Sequence, residues 1–269
     1  MVQRKPAQLL LGLCLLGLAG IASTAERKND GLSIWEDLSL TTGLEYESGD
    51  YNTSSRTNVW WVPIGLDYLK GPISAGINTS FLSASSNGSI IVSSRMGRRS
   101  NVSSANVSSA SGIGDVNMYA SYQLPQAKGS TITYHVTGRI KIATADEAKG
   151  LGTGENDYAV EAGFRMPYEK VFVFGNLGYQ INGDSTTVNY DNVFYLSAGT
   201  SYPIQPERSI GAKLELSQSA TPGFDGPATL TLFLNQEVDK QRSLFFYALL
   251  GLSNGSPDVG AGVNLTFKL

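Results

Sequence analysis

The fold of this chain is constrained first by residues 150–184, a Gly-rich loop followed by two segments in which apolar and polar residues alternate. In the first segment, alternate positions from Tyr158 to Met166 are apolar, and the positions between them include Glu161 and Arg165. The second segment alternates in the same way after a tight turn. Strict alternation over about ten residues on both sides of a turn predicts a β-hairpin. Soluble β-sandwiches alternate likewise, so the apolar face could meet either a protein core or lipid.

The same alternation recurs along the chain and predicts about twelve strands between Leu38 and Leu269. The connections between them alternate in length. The short ones are 70–72, 125–129, 167–170, 203–208 and 239–242, and the longer, more polar ones are 48–56, 84–112, 145–156, 183–191 and 219–227. Only the last outer connection, 254–258, departs from this order by being short.

This asymmetry is typical of transmembrane β-barrels of the bacterial outer membrane, which have tight periplasmic turns and longer outside loops. Strands of about 9–11 residues also fit a tilted crossing of the hydrocarbon layer. We therefore predict an all-β fold, a closed antiparallel transmembrane β-barrel over residues 38–269. The alternative is a secreted β-sandwich, which the alternating loop lengths disfavour.

Residues 1–25 have the three parts of a cleavable secretory signal peptide: the basic Arg4 and Lys5, an apolar run, and small residues before the expected cut. Residues 26–37 are predicted to be a periplasmic lead-in. The apolar run, residues 9–22, is shorter than the roughly 20 residues of a spanning helix. Together with the strands, this predicts export to the bacterial outer membrane.

The composition of the mature chain excludes several kinds of protein. Removing Arg4 and Lys5 lowers the 20 basic residues to 18, against 23 acidic ones, so the net charge is −5 and no basic stripe favours nucleic acid. The only cysteine, Cys14, lies in the signal peptide, so neither a disulfide nor a cysteine metal site is expected. With a single histidine as well, no metal and no cofactor are predicted.

The connection 84–112 is rich in Ser, Asn and Gly and contains a tandem pentapeptide at 101–110 and a basic run at Arg95, Arg98 and Arg99. Such a composition predicts a mobile loop without a packed core of its own. The loop could fold into the barrel and restrict its opening, or extend outside. The sequence leaves both arrangements open.

Three segments resemble a known family of outer-membrane barrels. They are GIGDVNMYASYQL at 112–124, GLGTGENDY at 150–158 and FVFGNLGYQINGD at 172–184. In these segments the chain is similar to the barrels named for a meta-pathway of phenol degradation. The resemblance covers about residues 38–269 and implies an outer-membrane channel or transporter that admits small solutes, aromatic or hydrophobic ones included. Its expected partners are lipid, those solutes and the barrel assembly machinery. Many such barrels end in Phe, whereas this chain ends in Leu269.

Functional residues of a barrel are expected on inward positions, because the outward face must be apolar. Charges of both signs inside a channel can orient polar solutes through a transverse field. The alternative is that the charges simply pair across strands and fill the interior. The candidate pore-lining residues are Asp115, His135, Arg139, Lys141, Glu161, Arg165, Lys213 and Glu215.

Two other kinds of function compete with transport. A barrel hydrolase needs a base beside its nucleophile, but the only histidine, His135, is predicted to face inward near the periplasmic end, away from lipid and from the outer loops. We therefore predict no enzyme. A structural or adhesive barrel would use the Ser/Asn-rich loop as its contact surface. GLGTG at 150–154 precedes a strand instead of a helix, which excludes a phosphate-binding loop.

Overall fold

The computed structural model describes residues 37–93, 100–102, 108–184 and 189–269. The predicted signal peptide, all but the last residue of the predicted lead-in, and the basic run of the 84–112 loop lie outside these residues. The strands are β1 (Leu38–Gly49), β2 (Thr57–Lys70), β3 (Ile73–Ser86), β4 (Ile91–Ser93), β5 (Ser100–Val102), β6 (Ser109–Ile113), β7 (Val116–Gln123), β8 (Thr133–Ile142), β9 (Asp157–Tyr168), β10 (Val171–Ile181), β11 (Val193–Gln205), β12 (Arg208–Ser217), β13 (Ala228–Glu237), β14 (Arg242–Gly251) and β15 (Val259–Lys268). The 3-10 helix Glu147–Lys149 lies in the connection before β9.

All of these strands except β4 and β5 form one closed antiparallel sheet, because β1 pairs with β15 on one side and with β2 on the other. Strand β3 pairs with β7 over its first half and with β6 over its second half. β6 and β7 therefore act as one barrel strand, interrupted at Gly114 and Asp115. Counted in this way, the barrel has 12 strands, which confirms the predicted fold class. Closure leaves no unpaired sheet edge.

The outward face of the barrel is apolar over its whole circumference. Exposed side chains on it include Ile64 on β2, Ile140 on β8, Leu177 on β10 and Leu232 on β13. Tyr and Trp are favoured where an apolar layer meets water. Here Tyr46 contacts Trp60 with ring centroids 4.8 Å apart, near the end of the barrel that carries the long connections. This outward face is that of a protein surrounded by lipid.

The two ends of the barrel differ in the length of their connections. The long-loop end carries the connections after β1, β3, β8, β10, β12 and β14, and the short-turn end carries the connections after β2, β7, β9, β11 and β13 together with residues 37 and 269. Among the described residues, no helix is long and apolar enough to cross a membrane.

The connection 84–112 is shorter than expected and more ordered at both ends. β3 continues to Ser86, and β6 pairs with it from Ser109, opposite Ser85. Between them, β4 and β5 form a small separate hairpin. The physical reason is that Ser, Ala and Gly, which are common in turns, also occupy these strands. The polar composition therefore does not reveal them as strands, because their stability comes from pairing with the neighbouring strand. The part of the loop that lies in the described residues is therefore not irregular throughout.

Candidate functional site

The inner wall of the barrel carries all eight residues singled out from the sequence. They alternate with exposed apolar residues on β8, β9 and β12, and Asp115 lies at the break between β6 and β7. Six of them form ion pairs with one another or with a neighbouring carboxylate: Asp115 with Lys141, Arg139 with Glu161, Lys141 also with Asp157, and Lys213 with Glu215. We call Asp115, Arg139, Lys141, Asp157 and Glu161 the charged wall.

Lys141 is the centre of the charged wall at its long-loop end. Its side chain is only 1% exposed. The ammonium group lies 2.8 Å from Asp157 Oδ2 and 3.5 Å from Asp115 Oδ2, and it donates to Thr153 Oγ1 at 2.9 Å. A buried ammonium is tolerated because three oxygen atoms replace its hydration. This group therefore holds strands together and is not a free charge in the lumen.

The two carboxylates that pair with Lys141 also hold the long connections. Asp115 Oδ1 accepts from the backbone N–H groups of Thr144 and Ala145, at 3.1 and 3.0 Å. Asp157 Oδ1 accepts from the N–H of Gly183 at 3.1 Å. Backbone donors at the starts of two long loops thus depend on the same ionic cluster. Local sequence patterns do not reveal this link, because the loops and the carboxylates that hold them are far apart along the chain.

The middle of the charged wall is a chain of contacts across four strands. Arg139 Nη2 lies 3.4 Å from Glu161 Oε1, and its guanidinium carbon lies 5.7 Å from the centre of the Tyr119 ring. The Tyr119 hydroxyl donates to Asp67 Oδ1 at 2.7 Å. The Arg139 guanidinium, the Tyr119 ring and the two carboxylates therefore line one side of the lumen. The guanidinium contacts the face of the ring as well as the Glu161 carboxylate.

His135 takes part in a hydrogen-bonded row of polar side chains. Its Nε2 lies 3.1 Å from Asn176 Oδ1, and Asn176 donates through Nδ2 to Ser197 Oγ at 3.0 Å. The Ser197 hydroxyl is therefore bonded to the Asn176 amide, and this amide lies between the hydroxyl and the His135 imidazole. This arrangement orients three polar side chains along the inner wall. It differs from a nucleophile–base pair, in which the two groups bond directly.

A further ion pair lies away from the charged wall. Lys213 Nζ and Glu215 Oε2 are 2.8 Å apart on β12. Glu45 on β1 accepts from the Tyr247 hydroxyl at 3.1 Å and from Asn264 Nδ2 at 2.9 Å. Acidic and basic groups thus occur on several sides of the lumen.

Another part of the inner surface is aromatic, which sequence reasoning largely missed. Phe174, Phe233, Phe245 and Tyr247 are buried and pack as one cluster, which we call the aromatic wall. The Phe233 and Phe245 rings stack with centroids 5.6 Å apart. One signal was available: β14 is apolar on both faces. In β10 and β13 the inward aromatic residues interrupt an otherwise polar face.

Glycines make room for the aromatic wall. A Cβ at Gly199 would overlap the Phe174 ring, and a Cβ at Gly211 would overlap the Phe233 ring. Each ring therefore lies over a bare backbone on the neighbouring strand instead of projecting straight into the bore. The two rings reach each other across β11 and β12 because of these glycines. This close approach is a reason for glycine inside a strand.

The long-loop end contains a third group of inward residues. Ile90 and Val92, from the 84–112 connection, pack against Trp61 and Val59 of β2 and Leu82 of β3, all of which are buried. The N–H of Ile91 donates to Thr57 Oγ1 at 3.2 Å. This part of the loop lies against the inner wall at the mouth of the barrel. Of the two arrangements left open by the sequence, the described residues adopt the inward one.

Arg165 differs from the other basic residues of the inner wall. Its guanidinium carbon lies 4.7 Å from the centre of the Phe172 ring on the next strand. Among the residues that the structure describes, no carboxylate lies within ion-pair distance of it. Within the same residues, no group of three His, Cys, Asp or Glu side chains could hold a metal ion.

A closed barrel with an apolar outer face and a charged and aromatic inner face defines a bacterial outer-membrane β-barrel. A family model described as "Putative MetA-pathway of phenol degradation" matches residues 73–269, and the chain belongs to that family. The resemblance found in the sequence is thereby confirmed.

Solved structures share the fold at low sequence identity. The outer-membrane channel from Pseudomonas putida F1 is 11% identical, with 91% of this chain and 99% of that chain covered and a TM-score of 0.66. The beta domain of the Bordetella autotransporter Brka is 11% identical over 86% of this chain and 99% of that one, with a TM-score of 0.56. Comparison with curated proteins finds no match. The matched structures are a channel and an autotransporter domain, while the absence of catalysis in this chain stays a prediction.

Proposed function

We propose that the chain is a passive outer-membrane channel for small solutes, aromatic or hydrophobic ones included. The observation that carries this proposal is the division of the inner surface into a charged wall and an aromatic wall. A solute with both a polar group and an apolar ring would find a partner for each along its path. The eight inward residues named from the sequence are proposed to line this path.

The passive mechanism rests on the architecture of the described residues. They form a single barrel and contain no separate plug domain of the kind that powered transporters carry. A solute would then move down its own gradient, and conduction requires binding weak enough to allow release. Insertion would use the barrel assembly machinery, as for other outer-membrane barrels.

The test is solute flux into liposomes that carry the refolded mature protein, comparing sugars, amino acids and phenolic compounds. We expect flux that depends on solute identity and changes when Arg139 is neutralised. Arg139 is preferable to Lys141 for this purpose, because the latter is buried among carboxylates that hold the loops. Absence of flux for every solute, with a folded barrel shown by heat-modifiable gel mobility, would overturn the transport function.

The adhesive alternative is tested by deleting residues 94–107. Lost adhesion with unchanged permeability would favour a surface-contact role over a channel. The inward packing of Ile90 and Val92 favours the channel, because these side chains line the mouth and are buried from an external partner.

A further inference from the structure

A row of inward residues crosses five neighbouring strands at the short-turn end and has unused binding capacity. It consists of Arg165 on β9, Phe172 on β10, Ser201 on β11, Ser209 on β12 and Asn235 on β13. Phe172 lies opposite Ser201 in the register, and Ser209 lies opposite Asn235. We call these five residues the short-turn row.

The first unused group is the guanidinium of Arg165. Arg139 on β8 pairs with Glu161, whereas no carboxylate of the described residues lies within ion-pair distance of Arg165. It lies over the Phe172 ring, which holds its plane but leaves the N–H groups at its edge available. A guanidinium edge of this kind matches a carboxylate, which it can bind through two parallel hydrogen bonds.

The second unused set is three buried oxygen atoms. Ser201 is 2% exposed, Ser209 1% and Asn235 2%. Ser201 Oγ, Ser209 Oγ and Asn235 Oδ1 have no hydrogen-bond partner among the described residues. Buried polar groups are nearly always hydrogen-bonded, because leaving one unpaired is costly. Three such atoms on consecutive strands, all facing inward, therefore indicate a place where a polar molecule binds.

The third component is apolar. Phe174 of the aromatic wall lies opposite Arg165 in the register, and Phe245 lies opposite Asn235. The Phe174, Phe233 and Phe245 rings form one cluster beside the short-turn row. A ligand bound to the row would therefore place any ring that it carries against aromatic side chains, an arrangement that stabilises ring pairs beyond simple burial.

We infer that the short-turn row binds a small aromatic monocarboxylate. Its carboxylate would pair with Arg165 and accept from the hydroxyls of Ser201 and Ser209, and its ring would pack on the aromatic wall. A neutral aromatic compound would leave Arg165 unpaired, and an aliphatic acid would leave the rings without a partner. The inference deepens the proposed channel function by naming a solute class for one end of the path.

Binding is measured by isothermal titration calorimetry on the refolded mature barrel in detergent, with three probes: benzoate, benzyl alcohol and acetate. We expect benzoate to bind at least about tenfold more tightly than either of the other two, since a charge-assisted hydrogen bond and a ring contact are each absent from one of them. Equal affinity for benzoate and acetate, or for benzoate and benzyl alcohol, would overturn the inference.

Two variants locate the binding. Arg165→Gln should weaken the binding of benzoate by about tenfold or more and leave the binding of benzyl alcohol unchanged. Arg242→Gln is the matched control, because Arg242 lies at the short-turn end with its side chain 53% exposed and paired with Asp239. It removes the same charge and should leave benzoate binding unchanged. Unaltered benzoate affinity in Arg165→Gln would contradict the assignment.

The double variant Ser201→Ala/Ser209→Ala separates binding from folding. The two hydroxyls have no hydrogen-bond partner in the part of the chain that the structure describes, so removing them should not lower the heat-modification temperature of the barrel. Benzoate affinity should nevertheless fall several-fold. A barrel of unchanged stability and unchanged benzoate affinity would overturn the role of the hydroxyls. Because calorimetry needs no flux, benzoate binding without solute passage would contradict the channel function alone, whereas flux without benzoate binding would contradict only this site.

Discussion

The charged wall and the aromatic wall lie on strands of the same geometry, but different forces hold their side chains in place. On the charged wall, long flexible side chains are fixed by ion pairs and hydrogen bonds, such as those of Lys141 with Asp157 and Thr153. On the aromatic wall, rigid rings are fixed by contact with one another and with glycine backbone.

This difference predicts which substitutions destabilise each wall. An ionic cluster loses most when one partner is removed, because the remaining buried charge has no compensation. An aromatic cluster loses stability in proportion to the contact area that is removed. It also loses stability when a methyl group is added below a ring. The charged wall therefore depends on the chemical identity of single residues, and the aromatic wall depends on volume.

The largest effect is expected from Lys141→Met. The substitution keeps an unbranched side chain, shorter by one atom, but leaves Asp157 and Asp115 without their cation, so the free energy of unfolding should fall by about 3 to 5 kcal/mol. Urea unfolding of the refolded barrel measures it. The control is Lys149→Met, where the ion pair with Asp146 has side chains 57% and 43% exposed. Exposed pairs contribute at most about 1 kcal/mol, and equal losses in the two variants would contradict a special role for Lys141.

The aromatic wall is tested by Phe233→Ala. The ring is buried among three other rings, so its removal should lower the free energy of unfolding by about 3 kcal/mol and widen the bore. Liposome flux of small aromatic solutes should rise at the same time. Phe246→Ala removes a ring of the same size from the outward face, where Phe246 is exposed. That control should leave flux unchanged, and a flux change common to both would count against the aromatic wall as part of the path.

A smaller effect comes from adding one methyl group at Gly211. The Cβ would overlap the Phe233 ring and the carbonyl oxygen of Thr200, so Gly211→Ala should cost about 1 to 3 kcal/mol. Gly138→Ala is the matched control, because a Cβ there meets nothing within 4 Å. Should both variants unfold at the same urea concentration, the glycines would not be making room for the rings.

The smallest effect on stability is expected for Arg139→Gln. The contact that is removed, Arg139 Nη2 to Glu161 Oε1, is long at 3.4 Å, so we expect a smaller loss than for the close ion pair of Lys141 with Asp157. The charge of the lumen changes nevertheless, and we expect the reversal potential across a planar bilayer to shift toward cation preference. The same measurement on Arg242→Gln should show no shift. An unchanged reversal potential for Arg139→Gln would remove this side chain from the conducting path.

The sequence by itself determined the alternation, and with it the number of strands and the face on which each residue lies. That inference succeeds because side chains in a strand alternate with a period of two and lipid admits only apolar groups. It placed Lys141 and Arg165 on the inner wall without any knowledge of their neighbours. It also predicted the alternation of short and long connections that separates the two ends of the barrel.

Only the tertiary structure decided which inward residues meet. Tyr247 and Asn264 bond Glu45 because β1 closes against β15, and Phe174 meets Phe233 across two intervening strands. Register and closure set these contacts between distant positions, and neither is encoded in local periodicity. The inward fold of Ile90 and Val92 was equally undetermined, since a short apolar segment in a polar loop is stabilised only by the wall against which it packs.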